Sequence, residues 1–150
     1  MIKKSFRVFH ANQLMPWSTG MAVWGAGGFV FLSGAEGIDP DTDVVLEGIG
    51  AQTRLALEKI KERLEEFGTS LDNICHMWIY IAGPEFPDGV VGDSRIHEFR
   101  RVREEFWEQY CPEFRSDRRP PATTLIGVSS LARKGMQIEI MVIAALPPLT

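Results

Sequence analysis

The sequence predicts a single α+β domain: a mixed sheet of five or six strands with two helices on one of its faces. Three observations lead there. First, 150 residues match one domain, and a chain of that size buries roughly 68–70% of its unfolded surface. Second, apolar residues recur at helical spacing over about 47–67 and 93–110. By contrast, 74–81, the stretch from Ala122 to Val128 and 137–146 carry the β-branched and apolar residues that suit a pleated surface. Third, no repeat, low-complexity tract or break in composition marks a second domain.

In chain order, Ser5 to His10 reads as a short first strand, and Asn12 to Thr19, with Pro16 and Trp17, as an irregular connection. Met21 to Trp24 and Phe29 to Leu32 are apolar runs around Gly25-Ala26-Gly27-Gly28, which predicts a β-hairpin because glycine supplies the positive φ a tight turn needs. These glycines lack the lysine and hydroxyl of a phosphate loop. Asp39-Pro40-Asp41-Thr42-Asp43 reads as a solvated turn. A calcium loop starting at Asp39 needs glycine where Val44 stands and glutamate where Gly50 stands.

The first helix, about Glu47 to Phe67, carries Ile49, Ala56, Ile60, Leu64 and Phe67 on one side and stops at Gly68. The strand Ile74 to Ile81 is bulky on both faces, so both faces should be covered. A loop from Gly83 to Gly92 leads into the second helix, about Asp93 to Tyr110. It carries Ile96, Phe99, Val102, Phe106 and Tyr110 along one side, with Asp93 or Ser94 as N-cap. The last two strands read as neighbours. Pro120 and Pro121 cannot donate to a ladder, so the first of the two begins near Ala122. In the second, Glu139 lies among large apolar residues, where a carboxylate needs a partner or a task.

Two helices cover one face of such a sheet, and the other face must meet something. Self-association of the sheets is the expected solution, which predicts a homo-oligomer. A formal charge of −4 gives no footprint for nucleic-acid binding. Cys75 and Cys111 have no metal-binding spacing and read as reduced thiols of a cytoplasmic protein. No stretch reaches the roughly 18 apolar residues of a membrane span. His10, His76 and His97 share neither spacing nor element, so neither a metal nor another cofactor is expected.

Four segments, Phe31-Leu32-Ser33-Gly34, Ala51-Gln52-Thr53-Arg54-Leu55-Ala56-Leu57-Glu58, Pro121-Ala122-Thr123-Thr124 and Ile138-Glu139-Ile140, resemble the Rid/YjgF family, also described as L-PSP endoribonucleases. The resemblance runs in order over about residues 15 to 146. It implies a chorismate-mutase-like fold and a homotrimer whose sheets line a central barrel, with ligand clefts between subunits. It also implies hydrolysis of 2-imino acids and related enamines to 2-oxo acids and ammonia. The family holds the substrate carboxylate with an arginine in a Pro-Ala-Arg-Ser/Thr segment, and here Thr123 occupies that place. One neutral hydroxyl replaces a charged, bidentate fork.

The remaining cleft positions carry over one by one. Trp17 matches a tyrosine that closes the cleft, Gly34 a glycine whose backbone faces the ligand, and Leu125 a frequent cysteine. Glu139 matches, unchanged, a residue that orients or activates water. The expected catalytic residues are therefore Glu139 and Thr123, and the expected substrate-binding residues Trp17, Gly34, Thr124, Leu125, Arg100 and Arg119. Arg100, Arg103, Arg118 and Arg119 are candidates to replace the absent arginine, with Arg100 and Arg119 first. The expectation is a hydrolase for an imine or enamine other than the usual small imino acids. The alternative is a trimeric protein that binds a small metabolite without turning it over.

Overall fold

A computed structural model of the protein describes residues 1–10 and 13–149. The elements are β1 (Ile2–His10), β2 (Gln13–Trp24), β3 (Gly28–Phe31), β4 (Ala35–Glu36), α1 (Ile49–Glu66), β5 (Ile74–Ala82), α2 (Arg95–Tyr110), β6 (Ala122–Val128) and β7 (Ile138–Leu146). They form one mixed sheet in the order β1-β2-β6-β5-β7-β3, with the two-residue β4 added on β7. The described sheet thus has seven strands, one or two more than expected.

The last two strands are not neighbours, contrary to the sequence reading. β5 lies between them, parallel to β6 and antiparallel to β7. The chain passes around the end of β5, where Gly83 N–H donates to Val128 O and Ala82 N–H to Gln137 O, both at 2.9 Å. Central placement also explains the two bulky faces of β5. Met77, Ile79 and Ile81 are buried under the helices, while Trp78 and Tyr80 are half-buried on the face away from them.

The hairpin expected across Gly25–Gly28 does not form. Met21 to Trp24 pair with Ser5 to Ile2 of β1, and Phe29 to Phe31 pair with Ala145 to Ile143 of β7. Each run has its pairing strand elsewhere, so the glycine segment changes partners instead of closing a turn; Gly25, at φ 68°, allows the change of direction.

The irregular connection is likewise a strand from Gln13 onward, while Asn12 lies outside the described residues. Pro16 is accommodated because it falls inside a register shift of the β1–β2 pair, where pairing passes from Arg7–Ser18 to Phe9–Leu14. The Arg7 guanidinium fastens this bulge, donating to Met15 O at 2.6 Å and Ser116 O at 2.7 Å. The β2–β6 seam is narrow. Ser18 pairs with Ala122, and its hydroxyl donates to Pro120 O at 2.6 Å. A proline carbonyl accepts where its ring nitrogen cannot donate.

Both helices lie where the period places them. Ile49, Ala56, Ile60 and Leu64 of α1, and Ile96, Phe99, Val102 and Phe106 of α2, are buried. Two expected positions are exposed: Tyr110 at the last turn of α2, by 40%, and Phe67, by 60%, where the helix has ended and the residue turns outward before Gly68 at φ 73°. At the start of α2, the Asp93 carboxylate accepts the Arg95 N–H at 2.9 Å, satisfying one free helical donor. Cys75 and Cys111 are free thiols, and burial pushes Cys111 up to about 11. No described helix is long and apolar enough to cross a membrane.

The helices leave one sheet face bare. Phe29 and Phe31 on β3 are exposed, Phe31 by 73%, beside half-buried Met141 and Ile143 on β7 and Trp78 on β5.

Candidate functional site

A cavity of about 360 Å³ lies on the helix side of the sheet, over β6 and beside the β2 bulge. Its walls are Pro16 and Trp17 from β2, Ile79 from β5, Val91 from the loop before α2, Phe99, Arg100 and Arg103 from α2, and Thr123, Thr124 and Leu125 from β6. Strand register decides which β6 side chains face it. Thr123 is level with Met77 and Leu125 with Ile79, both on the helix-facing side of β5. Thr124, at the alternate position between them, also borders the cavity, but its hydroxyl is engaged 3.1 Å from His76 Nε2. Burial lowers the proton affinity of His76, which favours the neutral imidazole.

The Thr123 hydroxyl donates to Pro121 O at 3.1 Å. With its proton committed there, it offers an incoming group only acceptor lone pairs. The bulge at Pro16 sets Trp17 in the opposite wall, where its indole joins the apolar side chains of Ile79, Val91, Phe99 and Leu125.

Five residues expected at the site, Trp17, Thr123, Thr124, Leu125 and Arg100, therefore share this cavity. Arg119 does not line it. Its guanidinium pairs with Glu113 at 2.7 Å, and the residue belongs to a separate cavity of about 70 Å³ near Lys3 and Asp72. Arg118 also reaches Glu113, at 3.4 Å.

Glu139 and Gly34 form a second locus. Glu139 is level with Tyr80, on the sheet face opposite Thr123, and also with Glu36 of β4. Its carboxylate packs so closely on Gly34 that a Cβ there would overlap it. Among the described residues it makes no ion pair, and the neighbouring Glu36 is itself paired with Lys59 at 3.0 Å. Burial, then the negative charge of Glu36, raise the Glu139 proton affinity above that of an ordinary carboxyl.

This raised affinity has a testable sign. The folded state holds the Glu139 proton more tightly than the unfolded chain, so stability from this group is present at low pH and lost as pH rises through its folded value. Glu139→Gln removes that loss. The stability of the variant relative to wild type, followed by chemical denaturation, should rise from about pH 4, near the unfolded carboxyl value, to about pH 7. A difference that is flat or falls with pH contradicts the assignment.

Arg103 is the wall residue that sequence reasoning left behind Arg100 and Arg119. It is 8% exposed. The signal was in the helix: position 103 is four residues after Phe99 and three before Phe106, on the buried stripe. An arginine at that spacing must bury its stem and find work for its head group. Among the described residues, no group of three or more His, Cys, Asp or Glu is placed to hold a metal ion. His76 and His97 sit on β5 and α2, and the side chain of His10 lies outside the described part.

Comparison with known proteins follows the same lines. The family model described as Endoribonuclease L-PSP matches residues 10–146. A RutC family protein of Saccharolobus solfataricus is 34% identical over 130 residues, covering 86% of each chain. Among solved structures, a conserved Rid family protein, YyfB from Yersinia pestis, superposes with a TM-score of 0.71 at 20% identity, over 97% of this chain and 100% of that one. E. coli TdcF, solved with bound serine, superposes with a TM-score of 0.62 at 24% identity, over 87% of each chain. Fold, element order and sequence agree, and the chain belongs to the Rid/YjgF family of L-PSP-type proteins.

Proposed function

We propose that this protein is a cytoplasmic, homotrimeric Rid-type hydrolase acting on an imine, or on an enamine through its imine tautomer. Water adds to the C=N carbon while nitrogen takes up a proton; the carbinolamine then collapses to a carbonyl and ammonia leaves. Glu139 is the proton carrier, taking a proton from water and returning it to nitrogen. The observation that carries this reading is the state of Glu139: a carboxyl without an ion pair among the described residues, held against Gly34, with proton affinity raised above that of an ordinary carboxyl. Because Glu139 and Thr123 lie on opposite faces of the sheet, the reading requires Glu139 of one copy to meet the cavity of another. The bare face bearing Phe29 and Phe31 supports such an assembly.

The test is ammonia release from imines generated in situ by an amino acid oxidase, with light scattering for the oligomer. Wild-type protein should exceed the spontaneous rate, and Glu139→Gln should lose roughly 10²–10⁴-fold of the enhancement, the usual worth of a positioned acid–base group. No rate above background, for acidic and neutral precursors alike, would refute the hydrolase.

The same separation of Glu139 from the cavity favours a second reading, a trimer that binds a small metabolite and does not alter it. That reading expects thermal stabilisation by a metabolite recovered chemically unchanged.

A further inference from the structure

The cavity takes its charge from helix α2. Two of its wall residues, Arg100 and Arg103, are cationic, and none is acidic. Arg103 is 8% exposed, yet its one ion pair among the described residues is to Glu104, at 3.0 Å from Nη2. Among the described residues, the buried Nε donor has no hydrogen-bond partner. The guanidinium is held in place. Glu104 is fixed through its other oxygen, which accepts the Ser116 N–H at 3.0 Å, and the Arg103 Cζ sits 5.3 Å from the centroid of the Phe99 ring.

A guanidinium carries five N–H donors, and burying one with donors unmet is unfavourable until an acceptor arrives. Burial lowers the proton affinity of Arg103, with Arg100 contributing in the same direction; an anion in the cavity would offset both effects. Apart from Thr123 and Thr124, the rest of the wall is apolar or aromatic. Ile79 and Phe99 are buried, and Leu125 and Trp17 are partly so.

We infer that Arg103, supported by Arg100, anchors the carboxylate of a ligand whose body is an aryl or branched alkyl group seated on Phe99, Ile79 and Leu125. A planar carboxylate matches the edge of a guanidinium. A volume of about 360 Å³ falls at the small end of the roughly 300–1,000 Å³ range of organic-ligand pockets. This assignment rests on the reading that the cavity, and not another surface, is the ligand site.

Two probes of one shape separate charge from fit: 3-phenylpropanoate and its neutral amide, 3-phenylpropanamide, titrated by calorimetry. The wild-type protein should bind the acid at least about tenfold more tightly than the amide, as expected for a charge-assisted contact. Arg103→Met should erase that preference and Arg103→Lys should restore part of it. Arg101→Met, on the outer face of the same helix and paired with Glu98 and Glu105, should change nothing. Circular dichroism establishes that each variant is folded, and Arg100→Met gives a milder loss if Arg103→Met is not.

The cavity-filling variant Leu125→Trp distinguishes the two ways of failing. If it blocks the acid while Arg103→Met binds like wild type, the cavity is the ligand site and Arg103 is not its anchor. If the wild type binds neither probe, or Leu125→Trp leaves binding unchanged, the cavity reading falls and the Arg103 assignment with it.

Discussion

Truncating Phe99 to alanine is expected to cost about 3–5 kcal/mol of folding free energy, the range for removing a fully buried aromatic ring. Phe99 is 2% exposed and is part of the main core. The same ring walls the cavity and underlies the Arg103 guanidinium. The loss therefore has two components. The larger is the void left in the core, read as a fall in the midpoint of urea unfolding. The smaller is a loosened guanidinium, read as weaker binding of 3-phenylpropanoate under conditions where the variant is still folded. Phe99→Leu should lie between the two proteins in both measurements. A Phe99→Ala change below about 1 kcal/mol would mean that the ring is not the core wedge described here, since surface changes rarely exceed about 0.5 kcal/mol.

A second large effect is expected far from the cavity. Gly37→Ala places a methyl group into the Cα, Cβ and Cγ of Gln52 on α1. Backbone and Cβ atoms cannot rotate aside, so the helix must move, at an overpacking cost of roughly 1–3 kcal/mol. Movement also endangers the Gln52 side chain, which ties three segments together. Its Nε2 donates to Leu46 O at 2.8 Å and to Gly135 O at 2.9 Å, and its Oε1 accepts the Gln137 N–H at 2.7 Å. Each net hydrogen bond adds about 0.5–1.5 kcal/mol, so loss of all three would bring the total to roughly 2.5–7.5 kcal/mol. Gly20→Ala is the internal comparison, because a methyl group there meets nothing within 4 Å. Similar melting temperatures for the two variants would show that Gln52 does not depend on contact with Gly37.

Both variants probe residues whose importance was only partly legible in the chain. Phe99 was marked by its place on the apolar stripe of α2, because helical period reports directly on which side faces the core. Gly37 was not marked, and Gln52 was named only within a segment that carries the family resemblance, not for a structural role. A close approach between a loop glycine and a helix amide depends on how the two segments are brought together, and no local period encodes it. Arg103 falls between these cases. Its spacing placed it among buried residues, but residue type argued for solvent, and the spacing was the better guide.

The strands show the same division. β5, β6, β7 and both helices were legible because each carries its own pattern of apolar and β-branched residues. Pairing was not. Two runs close in sequence, Met21–Trp24 and Phe29–Phe31, pair with β1 and β7, and β6 and β7 meet only through β5. Turn chemistry allows a hairpin without requiring one, and the competing partners lie more than a hundred residues away in the case of β3 and β7.

By itself, the sequence determined the α+β class, the two amphipathic helices and the Rid/YjgF kinship. These are properties of residue type and local period. The tertiary structure decided which candidates meet. Strand register places Thr123 and Leu125 under α2 and turns Glu139 to the opposite face, while the burial of α2 delivers Arg103, not Arg119, to the cavity. Whether two side chains share a site depends on pairing between distant segments, and that pairing exists only once the whole sheet has formed.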